Sequence, residues 1–163
     1  ERRIAPEQYE QAFARLWHHA QCKPYGVKTT EAPHYRRFVF QHGGNPLAGP
    51  DRAARARAPL GVGDGKGIMF VNHQGEIFPA GFLPLRCGRF PADSVVDVYR
   101  NHPTFVELRN PDRLKGRCGR CEYRRVCGGS RSRAFALTGD YMETDPDCVY
   151  EPGSGAIVKP RSA

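Results

Sequence analysis

The chain has 163 residues, 39% of them hydrophobic, with 18 Gly, 14 Pro and a formal charge of +8. That length suits one ordinary domain, the Gly and Pro foretell much loop, and the charge favours anionic partners such as nucleic acid, carboxylates or phosphates without choosing among them. No apolar run nears the ~20 residues of a membrane span, and the opening ERRIAPEQYEQ lacks the apolar core of a secretory signal, so the reading is a cytoplasmic chain with reduced thiols and no membrane partner.

Residues 6–20, PEQYEQAFARLWHHA, predict an amphipathic helix: Tyr9, Phe13, Leu16, Trp17 and Ala20 recur at helical spacing, and Pro6 suits the first turn. Gly26 to Thr30 reads as a short strand, followed by a helix opened by Pro33. Residues 41–66 hold six Gly and three Pro and read as a flexible linker, with Arg52, Arg55 and Arg57 on a solvated loop. Met69–Asn72 and Glu76–Pro79 flank NHQG and predict a hairpin, with His73 and Gln74 in its turn. Two short helices follow over residues 93–109, broken at Pro103, the first capped by Asp93 or Ser94. A last helix in GSRSRAFALTGD stops at Gly139, and residues 151–163 read as a loose tail.

Four of the six cysteines lie between Cys118 and Cys148, with two, five and twenty residues between successive thiols. A C-x-x-C pair brings two sulfurs to one centre from a tight turn; the next folds back onto it, and a remote loop supplies the fourth. Four thiolates suit either tetrahedral zinc or an iron–sulfur cluster. Zinc ribbons usually carry two such knuckles, and the single one here favours iron–sulfur. Lys115, Arg117, Arg120, Arg124, Arg125, Arg131 and Arg133 surround the block, as an anionic cluster would favour. Cys22 reads as half-buried packing at a helix end, and Cys87 as a free loop thiol. A zinc-stabilised nucleic-acid binder fits less well, because aromatic and basic residues do not interleave as stacking platforms require.

The motifs LKGRCGRCEYRRVCGGSRSRA, TGD…D-P-x-C, PAGFLPL and KTTEAPHYRR together resemble the C-terminal SPASM or twitch region of radical SAM enzymes. The resemblance covers residues 26–152. It is nearest the haem-biosynthesis branch, which acts on sirohaem-derived tetrapyrroles, and the related pyrroloquinoline quinone family. It implies an α+β fold: a remnant of a partial (β/α) barrel over residues 1–40, the linker, a SPASM/twitch domain over 67–150, and the tail. It implies that Cys118, Cys121, Cys127 and Cys148 hold an auxiliary [4Fe–4S] cluster, with zinc as a possible substitute. A second auxiliary cluster is not implied, because Ala80 and Arg131 stand where its ligands would be. The C-x-x-x-C-x-x-C motif that binds the catalytic [4Fe–4S] cluster and S-adenosylmethionine does not occur in this sequence. The chain therefore reads as the C-terminal part of a longer oxidoreductase, inactive alone.

On this resemblance KTTEAPHYRR faces substrate. Lys28, Arg36 and Arg37 would pair with carboxylates, His34 would donate a proton or approach an iron, and Glu31 would orient either. The implied partners are an anionic tetrapyrrole, or a precursor peptide in the alternative reading, and an electron donor.

Overall fold

The computed structural model describes residues 3–25, 27–44 and 63–154. The fold is α+β: six short helices and one small antiparallel sheet are described. Helix α1 spans Pro6–Cys22 and α2 spans His34–Gln41. Pro6 occupies the first turn, and the Gln8 side chain accepts from the Ala5 N–H at 2.6 Å. The apolar faces of the two helices meet in a core of Phe13, Tyr35, Phe38 and Val39, flanked by Tyr9, Leu16 and Trp17. The Phe13 and Phe38 rings meet edge-on at 5.9 Å. The sequence pattern of α1 hid one buried residue, Glu10, whose carboxylate pairs with the buried Arg37 guanidinium of α2.

The expected strand at 26–30 does not form among its described residues, 27–30. A strand exists through its ladder, and no described segment runs beside it. Most of the expected linker and the end of the expected tail, with Arg52, Arg55 and Arg57, lie outside the described residues. Residues 63–66 are ordered by a tight bridge, and Asp64 accepts from both the N–H and the hydroxyl of Ser132, at 2.7 and 2.8 Å.

The hairpin forms as expected. Strand β1 (Phe70–Val71) pairs with β2 (Glu76–Phe78), Phe70 opposite Phe78 and Val71 opposite Ile77. The Asn72 carboxamide oxygen accepts from the Gln74 and Glu76 N–H groups, and Gly75 takes φ +82° to close the turn. A third strand, β3 (Gly88–Arg89), was not anticipated; it pairs with the far edge of β2. Cys87 sits in the loop just before it and is free, as expected, but the loop turns it inward: it is buried with Ile77, Val98 and Phe105. Cys22 departs the other way. The last residue of α1, it is exposed, with His18 Nδ1 3.8 Å from its sulfur.

Helices α3 (Val95–Asn101) and α4 (Pro103–Leu108) break at the expected proline, and the Ser94 hydroxyl caps α3. Val98 and Phe105 enter the core while Val96 and Val106 stay exposed. A 3₁₀ turn at Pro111–Arg113 leads to α5 (Gly116–Arg120), and α6 (Arg131–Thr138) ends at Gly139 with φ +77°. The cysteine-rich stretch packs between the sheet unit and the α1–α2 pair.

Candidate metal centre

Cys118, Cys121, Cys127 and Cys148 line one cavity, as their spacing predicts. The backbone explains how three of them reach it. Cys118 C=O accepts from Cys121 N–H, Cys121 C=O from Arg124 N–H, and Tyr123 C=O from Cys127 N–H. Successive tight turns thus wind the chain around one point. Two bonds tie Cys148's segment to α5: Lys115 N–H to Met142 C=O at 2.8 Å, and Arg117 N–H to the Thr144 hydroxyl at 2.9 Å.

Each sulfur meets a backbone donor. Cys118 Sγ accepts from Asp145 N–H at 3.3 Å and Cys127 Sγ from Gly129 N–H at 3.4 Å. Tyr123 and Tyr150 N–H groups serve Cys121 and Cys148. Three of the four donors therefore lie two residues beyond the cysteine they serve. At Cys127, Gly128 and Gly129 make this turn possible with φ of +69° and +64°. A Cβ on Gly129 would lie 2.5 Å from Arg131 Nη2 and 3.2 Å from Cys118 Sγ. The backbone approaches the sulfurs where only glycine fits.

Burial pushes the Cys127 thiol up, and pushes Cys148 up to about 11 with only partial relief from the nearby Arg37 charge. Cys121 is raised for the same reason. None of the four is in a disulfide. Buried thiols of this kind become thiolates when a cation shares their charge, and N–H groups aimed at sulfur are what an iron–sulfur site uses to stabilise that charge. The donor set fits such a centre.

The seven surrounding cations are mostly occupied elsewhere. Lys115 pairs with Asp140, Arg117 and Arg120 with Glu151, and Arg124 and Arg125 with Asp112. Arg133 holds two buried carboxylates, Asp145 and Asp147. Burial would raise Asp145, but the Arg133 guanidinium outweighs it and holds the carboxyl below its ordinary value. Arg131 is the one bonded to a thiol: its Nη2 stands 3.6 Å from Cys118 Sγ, while Nη1 donates to the Tyr141 and Glu143 carbonyls.

Of the expected substrate-facing residues, His34 and Arg37 line the cysteine cavity. His34 is fully buried against Phe13 and Tyr9, with Nδ1 3.8 Å from Asp145 Oδ2, and desolvation lowers its pKa to about 3. Arg37 is held by Glu10 and Gln41 and lies 5.4 Å from the Tyr150 ring. Arg36 turns the other way and donates to Val126 C=O at 3.3 Å. Glu31 is half-buried beside Ser130, and burial, then the Asp64 charge, raises its pKa. Lys28 is exposed. The sequence reading missed Gly129, Asp145 and the donor role of Arg131; the doubled glycine after Cys127 and the aspartate of D-P-x-C were the available signals.

The chain is 36% identical over 153 residues to AdoMet-dependent heme synthase of Methanosarcina barkeri, covering 92% of this chain and 44% of the relative. The heme synthase of Oleidesulfovibrio alaskensis is 34% identical, over 91% and 39%. Pre-heme d1 synthase of Dinoroseobacter shibae is 36% identical over 54% of the chain and 23% of its own length. The chain is homologous to the SPASM-type C-terminal region of radical SAM enzymes. The chain spans less than half the length of the heme synthases it matches. It is also 39% identical, over 40% of its length and 18% of the relative's, to PqqA peptide cyclase of Bradyrhizobium diazoefficiens. No family model matches it. No helix among its described residues is long and apolar enough to cross a membrane.

Proposed function

We propose that Cys118, Cys121, Cys127 and Cys148 hold one auxiliary [4Fe–4S] cluster in the C-terminal part of a radical SAM oxidoreductase that modifies side chains of a haem-like tetrapyrrole. The observation that carries this is the cavity itself: four thiols from two segments face one space, each sulfur with a backbone N–H. Among the described residues, no three His, Cys, Asp or Glu side chains form a group able to hold a metal ion. Tetrahedral zinc needs Zn–S bonds of ~2.3 Å, hence sulfurs about 4 Å apart. The choice of cluster over zinc rests on the single C-x-x-C knuckle and on the heme-synthase relatives. The tetrapyrrole reading rests on the heme-synthase relatives, which match nearly the whole chain, whereas the peptide cyclase matches a smaller share.

When bound, the cluster supplies one-electron transfer. The chain's own residues hold and insulate it. Gly128 and Gly129 let the backbone N–H approach, Arg131 donates to the Cys118 sulfur, and His34, Arg37 and Tyr150 close the inner wall. Four thiolate ligands, Cys118, Cys121, Cys127 and Cys148, would leave no iron open to substrate. S-adenosylmethionine and its own [4Fe–4S] cluster fall to the part of the enzyme outside this chain. We assign residues 67–150 to the cluster domain and α1–α2 to the end of the partial barrel. We infer that Lys28, Glu31 and Arg36 of KTTEAPHYRR meet substrate or an electron donor, while His34 and Arg37, which line the cysteine cavity, shape its wall.

Electron paramagnetic resonance of the anaerobic, dithionite-reduced chain tests the ligand set. A fast-relaxing reduced-cluster signal is expected, kept in Cys22→Ser and Cys87→Ser and lost or altered in Cys148→Ser. Loss of the signal in Cys87→Ser with its retention in Cys148→Ser would overturn the assignment.

A further inference from the structure

A second cleft lies on the other side of the Cys127–Gly129 loop. Its wall carries five cationic side chains, Arg36, Lys66, Arg124, Arg125 and Arg131, against one carboxylate, Asp64. Asp64 accepts only from neutral Ser132 and keeps its charge, Arg131 is committed to the Cys118 sulfur, and Arg124 and Arg125 share the single Asp112 carboxylate, so two carboxylates face four further cations. The cleft therefore keeps an excess of positive charge. Leu108, Leu114 and Val126 supply an apolar strip between the cations. The space is about 60 Å³, room for a few waters. That admits a carboxylate group but not a whole macrocycle.

We propose that this cleft is an anion site that takes one carboxylate arm of the substrate while its apolar body lies outside, against the strip. The inference rests on the tetrapyrrole reading above and names a docking point for it. Guanidinium and ammonium groups around a small partly apolar space give charge-assisted hydrogen bonds at reduced dielectric. The bound arm would be separated from the cysteine cavity by the Cys127–Gly129 loop, which lines both spaces. That brings substrate beside the centre without ligating it. Of the residues the sequence nominated for substrate, only Arg36 lies on this wall.

The test is a fluorescence titration of the anaerobically reconstituted chain with coproporphyrin III, a porphyrin carrying carboxylate arms. A porphyrin of like size with cationic pyridinium arms is the control. Iron and sulfide are measured on the same samples. Saturable binding of the carboxylate porphyrin is expected, weakened by salt and absent for the cationic one. The double variant Lys66→Glu/Arg125→Glu, both at the rim of the cleft, is expected to lose about tenfold in affinity, or about 1.4 kcal/mol, with iron and sulfide unchanged. Equal binding of both porphyrins, or undiminished binding by the double variant, would overturn the site while a normal iron and sulfide content left the cluster reading standing. Charge-dependent binding of oligoglutamate in place of the porphyrin would equally overturn it and give the cleft to an acidic peptide. Charge-dependent porphyrin binding by a chain without sulfide would support the site and sink the cluster instead.

Discussion

Gly129 and His34 carry the most information at the scale of single residues. Gly129 has φ +64°, and a Cβ there would meet Arg131 Nη2 at 2.5 Å, Asp145 Cβ at 2.7 Å and Cys118 Sγ at 3.2 Å. Gly139 shares a positive φ, +77°, but a Cβ there meets nothing within 4 Å. Gly129→Ala should therefore cost more than the ~1 kcal/mol of a strained φ alone and should lower bound iron, whereas Gly139→Ala should keep its iron at a cost of about that ~1 kcal/mol. Equal iron loss in both variants would show that the glycine cradle is not specific to the site. His34 makes a different prediction. Its folded pKa, about 3, lies below its unfolded value of 6.5. As pH falls below 6.5 the unfolded chain binds a proton that the folded chain refuses, so stability drops, and goes on dropping towards pH 3. His34→Phe, an aromatic replacement in an aromatic nest, should flatten the fall of the melting temperature between pH 6.5 and 5, above the range where carboxylates titrate. An unchanged slope would mean the imidazole is not desolvated as placed.

Pairing of elements is where the sequence was partly legible. The periodicity of α1, the Asn72–Gly75 turn and the break at Pro103 were readable because each rests on local chemistry: an apolar stripe, a glycine turn, a missing N–H. Strand β3 was not, because a two-residue strand is defined by its neighbour β2 and carries no pattern of its own. The Glu10–Arg37 pair was also hidden. Both residues look like solvated helix positions in sequence, and burial is conferred only when α1 meets α2. That pair is expected to fasten the two helices. Removing one partner, as in Arg37→Met, leaves an uncompensated buried charge and should cost about 3–5 kcal/mol. The double variant Glu10→Leu/Arg37→Met should recover most of that loss in urea unfolding. A single variant as stable as the parent would return Arg37 to the list of groups available to substrate.

Across the whole molecule, the cysteine site joins two units that each own a separate core. Phe13, Tyr35, Phe38 and Val39 form one; Ile77, Cys87, Val98 and Phe105 form the other. Contacts to the first unit run through the cysteine segment: Arg36 to Val126, Arg133 to Glu31 and Tyr9, Phe40 against Tyr123 and His34 beside Asp145. The four cysteines that line one cavity were legible because metal-ligating thiols recur at a restricted spacing. The wall was not, because it comes from distant residues that only the fold brings together. The account stands on what those four thiols hold. Iron, zinc and acid-labile sulfide should be measured on anaerobically purified chain, with its absorption spectrum. The account predicts iron and sulfide in equal amounts, about four of each per chain, with a broad band near ~400 nm that bleaches on reduction. One tightly held zinc without sulfide, persisting after anaerobic reconstitution with iron, would contradict it.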